Sequence, residues 1–138
     1  MHRRRLGRLL LMLIALSVLI AGCGGRPSPP KLAITPTSWD FGEIPIEIVE
    51  HTFTLKNNGG STLHIQDVST SCGCTEAKLS TTDLPPGETS EMVVSFDPNA
   101  HPGSYGRFVR QVYLQSNDPE RPEVQIEITA TVNAPSTD

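Results

Sequence analysis

Enzymatic signatures are the first thing missing from this chain. It has no Gly-x-Ser-x-Gly, no His-Glu-x-x-His and no phosphate-binding loop. Asp67, Asp83 and Asp97 stand singly in or near turns, so nothing selects a carboxylate pair for glycosidase-type chemistry. Together these gaps imply a protein that is not an enzyme. Aromatic residues make up only 5% of the chain, so a core must rest mainly on Val, Ile and Leu. Sustained helical periodicity is absent as well, which argues against a helical bundle. Cysteine is scarce: Cys23, Cys72 and Cys74 are all there is.

The N-terminus supplies the clearest positive signal. Arg3, Arg4, Arg5 and Arg8 precede an apolar run from Leu9 to Gly22 in which only Ser17 is polar. A bilayer-spanning helix needs about 20 apolar residues, so the run is short for a span and suits a secretory signal. Leu19-Ile20-Ala21-Gly22-Cys23 resembles the bacterial lipoprotein signal. That resemblance implies cleavage before Cys23, diacylation of its thiol, and a palmitate-type anchor in a membrane. Stable anchoring takes two or more acyl chains, which a diacylated cysteine provides. The expected address is the bacterial cell envelope, on the exported side of the cytoplasmic membrane or on the outer membrane.

Loss of residues 1–22 removes four of the 11 Lys+Arg and none of the 15 Asp+Glu, leaving a net charge of −8. An acidic domain of about 110 residues is a poor partner for nucleic acid, yet long enough to bury a core without staples. The expected organisation is a signal over 1–22, a lipidated cysteine and Pro/Gly tether over 23–31, one domain over 32–134, and a tail over 135–138.

Within the domain the dominant period is two. Val124, Ile126, Ile128, Ala130 and Val132 alternate with polar residues, as do Phe53 with Leu55, and Met92, Val94 and Phe96. Phe108, Val112 and Leu114 share a face that Arg110 interrupts; a solvated edge is the expectation there, and an inward Arg110 would need a partner. Leu63 and Ile65 suggest a further strand, and Leu32–Thr35 with Ser38–Phe41 a first strand broken at Pro36. Trp39 and Phe41 share parity and are expected in the core. Asn57-Asn58-Gly59-Gly60 reads as a hairpin turn. Leu84-Pro85-Pro86-Gly87, Asp97–Gly103 and Asn117–Pro122 read as further turns. About seven short strands predict an all-β, immunoglobulin-like β-sandwich.

Several of these strings, taken in order, carry a family resemblance. They are Asp40-Phe41-Gly42-Glu43-Ile44, Phe53-Thr54-Leu55-Lys56-Asn57-Asn58-Gly59, Leu63-His64-Ile65, Ser71-Cys72-Gly73-Cys74-Thr75, Pro86-Gly87-Glu88, Val94-Ser95-Phe96-Asp97 and Ser116-Asn117-Asp118. The chain from Thr37 to about Val132 resembles the bacterial family catalogued as domain of unknown function 1573. It shares its looser pattern with hydin-like and abnormal-spindle-like sandwiches. The resemblance implies an exported β-sandwich and no mechanism.

Cys72 and Cys74 flank Gly73, and three readings stay open. A structural disulfide needs Cα atoms about 4.4–6.8 Å apart, so the chain must bend at Gly73. A metal site for Cu(I) or Zn²⁺ would use the two thiolates, with His64 as the leading further ligand and His51 and His101 behind it. Parity puts His64 on the solvent side, His51 at the end of an inward face, and His101 in a Pro/Gly loop. Thiol redox chemistry is the third reading, though no helix start is present to activate a thiol. The sequence reading is thus a membrane-anchored envelope lipoprotein acting as a non-catalytic protein-interaction or structural module. It needs no cofactor and has an envelope protein as its expected partner. The alternative is metal or redox work at Cys72-Gly73-Cys74.

Overall fold

The computed structural model describes residues 24–135; residues 1–22, where the sequence led us to expect a signal, and Cys23 lie outside them. Nine strands form two packed sheets. They are β1 (Leu32–Thr35), β2 (Ser38–Ile44), β3 (Val49–Asn57), β4 (Leu63–Thr70), β5 (Thr75–Leu79), β6 (Asp83–Leu84), β7 (Thr89–Phe96), β8 (Gly106–Ser116) and β9 (Glu123–Val132). One sheet runs β1-β3-β7-β5 and the other β2-β9-β8-β4-β6. The two-sheet, all-β architecture is the one that the alternation of apolar and polar residues predicts. The count exceeds seven because the first strand divides in two and β6 is a two-residue piece.

The divide falls at Pro36, after a cis Thr35–Pro36 bond. Here β1 pairs antiparallel with β3, whereas β2 crosses to the other sheet and pairs parallel with β9. The core lies between the sheets, where Leu32, Phe53, Leu55, Leu63, Met92, Val94, Val112, Leu114 and Ile126 are at most 1% exposed. Burying a side chain of this size stabilises the fold by roughly 1.5–3 kcal/mol.

Three local expectations give way. Asn57–Gly60 does not close a hairpin, because β3 already pairs with β1 and β7, and the chain crosses to β4 in the second sheet. Asn57 is instead fully buried. Its Nδ2 donates to the carbonyls of Ser61 and Leu84 at 2.8 and 2.9 Å, and its Oδ1 accepts from the Gly59 N–H at 2.9 Å. Trp39 is 38% exposed and stacks on His51, with ring centroids 3.5 Å apart. It sits on edge strand β2, whose register shifts beside Gly42 (φ +69°), so parity from Phe41 does not carry it inward. Only Phe41 packs against the core. Lastly, β8 lies between β9 and β4 and is no solvated edge; Tyr105 precedes it and is exposed.

The end of the composition-defined tether is docked. Ser61 Oγ donates to the Ser28 carbonyl at 2.8 Å, and Asn58 N–H donates to the Lys31 carbonyl at 2.8 Å. Gly59 is required by this approach: a Cβ there would stand 2.2 Å from the Pro29 carbonyl oxygen.

Candidate functional site

The β4–β5 connection holds Cys72 and Cys74 at one end of the sandwich. Thr70, the last residue of β4, places its hydroxyl 3.0 Å from the Cys72 carbonyl and 2.9 Å from that of Thr75, pinning both ends of the loop. Thr75 N–H donates to the Cys72 carbonyl at 3.1 Å, which closes the bend. Ser71 is tied to β8: its N–H donates to the Gln111 carbonyl and its hydroxyl accepts from the Gln111 N–H, both at 2.9 Å. The two cysteines form a disulfide, with Cα atoms 5.1 Å apart. That separation is the bend which Gly73, the residue between them, was expected to allow.

The two sulfurs have different surroundings. Cys74 is 3% exposed and belongs to the core, whereas Cys72 is half-buried. Arg110 points inward from β8, and its Nε donates to Cys74 Sγ at 3.1 Å. Its guanidinium also lies over the Phe108 ring, 5.1 Å from the centroid, and Nη1 donates to the Val109 carbonyl. Among the described residues no carboxylate pairs with Arg110; the ion pairs found there are Lys31–Glu120, His64–Asp83 and Lys78–Glu76. An inward cation thus has a neutral sulfur and an aromatic face where a counter-ion would be expected.

His101 meets the other sulfur, with Nε2 3.4 Å from Cys72 Sγ. A 3-10 turn over Pro98–Ala100 presents it, and Asp97 caps that turn by accepting from the Asn99 N–H at 2.8 Å. The Asp97 N–H in turn donates to the Cys74 carbonyl at 2.8 Å, so the turn and the disulfide loop are joined directly.

The structure reverses the expected order of the histidines. Cys72, Cys74 and His101 place their donor atoms within 4.8 Å of one another. His64 is not in this group: it lies on β4 opposite Asp83 of β6, and its Nδ1 meets the Asp83 carboxylate at 2.5 Å. His51 is not in it either. It is sandwiched by Trp39 and the edge of Phe53, its Nε2 is buried without a partner, and burial pushes its pKa down. Soft metals bind thiolates, and in the closed bridge neither sulfur is one. Sequence reasoning expected Arg110 at a solvated edge and noted that it would need a partner only if it pointed inward; the signal for the inward position was a cation in phase with Phe108, Val112 and Leu114.

A second feature is the gap between the sheets beside this loop. Edge strand β5 and the outer side of β4 border a groove of about 330 Å³ lined by Ile65, Asp67, Val68, Ala77, Leu79 and Thr82. β6 covers β4 only at Leu63 and His64. Flanking β5 on either side, the Cys74 carbonyl accepts from the Asp97 N–H and the Ser80 N–H donates to the Glu91 carbonyl. Antiparallel alternation from those bonds directs the backbone groups of Glu76 and Lys78 to β7, and those of Ala77 and Leu79 outward.

Comparison with known proteins matches the fold and the family. No curated protein matches the sequence. Among solved structures, the chain superimposes on a protein of unknown function from Porphyromonas gingivalis W83 with a TM-score of 0.70 at 20% identity, covering 74% of this chain and 46% of that one. The chain therefore spans under half the length of that protein. It is also similar to the PapD-like domain 7 of human CEP192 (TM-score 0.58, 13% identity, 84% of this chain and 94% of that one). The periplasmic chaperone SfaE gives a TM-score of 0.57 at 9% identity, covering 78% of this chain and 60% of that one. These likenesses establish an immunoglobulin-like, PapD-like sandwich. A family model described as protein of unknown function (DUF1573) matches residues 32–132, nearly the whole sandwich, and the chain belongs to that family.

Proposed function

We propose that this protein is an envelope lipoprotein, anchored through Cys23, whose sandwich is a non-catalytic protein-interaction module working through the open edge of β5. The observation that carries the reading is the pairing of a free strand edge, among the described residues, with a groove whose lining mixes Ile65, Val68, Ala77 and Leu79 with the polar Gln66, Asp67 and Thr82. Ala77 and Leu79 offer unpaired backbone groups, and Val68, Ile65 and Leu79 line the slot beside them. An extended segment of a partner can add to such an edge, with main-chain hydrogen bonds giving affinity and the slot reading alternate side chains. The DUF1573 family and PapD-like sandwich agree with a binding role, and the sequence offers no catalytic motif.

A photo-crosslinker at exposed Lys78 tests the interaction in cells. A discrete adduct at Lys78, absent with the crosslinker at exposed Gln125 on β9, is expected; no adduct at either position would overturn the reading. Anchoring is read separately: Cys23→Ala should move the protein from the membrane to the soluble fraction.

A further inference from the structure

We propose that the Cys72–Cys74 bridge is a site of thiol–disulfide exchange, opened at Cys72 by the thiolate of a partner protein or peptide, with Arg110 holding Cys74 as the leaving thiolate. This stands apart from the strand-edge reading and needs none of it. The two sulfurs differ in reach and in the charge of their donor: Cys72 Sγ accepts from the neutral Cys74 N–H at 3.1 Å, Cys74 Sγ from a guanidinium. Cys72 is the reachable one, half-buried at the surface beside the exposed His101. Cys74 is the buried one, and it alone receives the Arg110 Nε–H. A thiol leaves faster the less basic its thiolate is, and a guanidinium beside the sulfur reduces that basicity. Arg110 has no carboxylate among the described residues, so an inward positive charge waits for an anion that appears only when the bridge opens. Here a side chain from the middle of a sheet supplies what a helix N-terminus supplies in Cys-x-x-Cys proteins.

The incoming thiol loses its proton to solvent, and its sulfur bonds to Cys72 Sγ. The Cys72–Cys74 bond breaks with both electrons going to Cys74 Sγ, which becomes a thiolate hydrogen-bonded to Arg110. The product is a mixed disulfide on Cys72. A second thiolate on the same partner then displaces Cys72; the partner leaves as a disulfide, oxidised by two electrons, and this chain is left as a dithiol.

The test uses the full chain with glutathione as a small thiol and reduced thioredoxin as a protein dithiol. Reaction at pH 7, acid quench and N-ethylmaleimide labelling are followed by fragmentation of tryptic peptide 57–78, which excludes Cys23. Glutathione is expected on Cys72 and maleimide on Cys74. The bridge should open about tenfold faster than the same bridge in an isolated 71–75 peptide, with the leaving group setting the rate. Thioredoxin should be the quicker of the two per thiolate, and a faster reaction with glutathione would overturn the assignment of a protein dithiol as the partner. Arg110→Leu should lose that advantage and Arg110→Lys should keep part of it. Should the arginine variants fail to fold, the wild-type regiochemistry still decides. Glutathione on Cys74, or opening no faster than in the peptide, overturns the proposal, because a merely structural bridge is slowed by burial.

Discussion

Asp118 is the residue whose loss should cost most for the smallest change in shape. It is 1% exposed, in the turn between β8 and β9. Its Oδ2 accepts from the Leu32 N–H at 2.8 Å, and its Oδ1 from the N–H groups of Glu120 at 2.9 Å and Arg121 at 3.2 Å. Arg121 also donates to the Leu32 carbonyl, so the turn and the start of β1 are bound to each other through one carboxylate. Burial pushes the Asp118 pKa up. The three backbone donors and the Arg121 charge outweigh it and hold the carboxyl below the ordinary aspartate value.

Asp118→Asn keeps the shape but turns an NH₂ towards one of those donors. It loses a hydrogen bond to a charged group, worth about 1.5–3 kcal/mol, and leaves a buried N–H unsatisfied at about 1–3 kcal/mol more. We expect a loss of about 2.5–6 kcal/mol in urea unfolding at pH 7. In a domain of this size each kcal/mol moves Tm by roughly 4 °C. The pH dependence has a defined sign. A carboxyl whose pKa is depressed by folding stabilises above its unfolded value, near 3.9, and that contribution vanishes as pH falls through the folded value. The gap between wild type and Asp118→Asn should therefore be full at pH 7 and shrink below about pH 4. A loss under about 0.5 kcal/mol, or a gap that does not change down to pH 2.5, would refute the reasoning.

His51 should make stability depend on pH in a higher window. Burial lowers its pKa below the unfolded value near 6.5, so the unfolded state takes up more protons and stability falls as pH drops through that value. Denaturation midpoints at pH 7.5 and 5.5 should differ more in wild type than in His51→Phe, and equal slopes would count against the buried imidazole. Gly59→Ala should cost about 1–3 kcal/mol by pushing residues 29–31 off the 57–61 loop, which chemical denaturation reads directly.

The strands were legible where one face is buried and the other wet. The alternation of β9 from Val124 to Val132 and of β7 from Met92 to Phe96 follows from that asymmetry, and both place their apolar set in the core. The break at Pro36 was legible too. Its consequence was not, because the sheet that β2 joins depends on the free edge of β9, a residue range some 90 positions away. Asn57-Asn58-Gly59-Gly60 misled for the same reason: its composition suits a hairpin, yet both sides of β3 are already taken. Trp39 escaped the core because edge strand β2 changes register beside Gly42. At the candidate site, the bend at Gly73 could be argued from reach alone. The meeting of Arg110, His101 and the cysteines could not, since it needs β8 and the 98–104 turn brought against the same loop by the closed sandwich.

The central claim is that β5 binds a partner through its outward backbone. Proline at position 77 removes an N–H that no neighbouring strand uses, whereas proline at 78 removes one that bonds to β7. The most direct measurement is the yield of the Lys78-side adduct in cells carrying Ala77→Pro, with the melting temperature of that variant measured alongside. The adduct should disappear while the fold melts within a few degrees of wild type, and Lys78→Pro should unfold the sandwich. An undiminished adduct in a folded Ala77→Pro protein would contradict it.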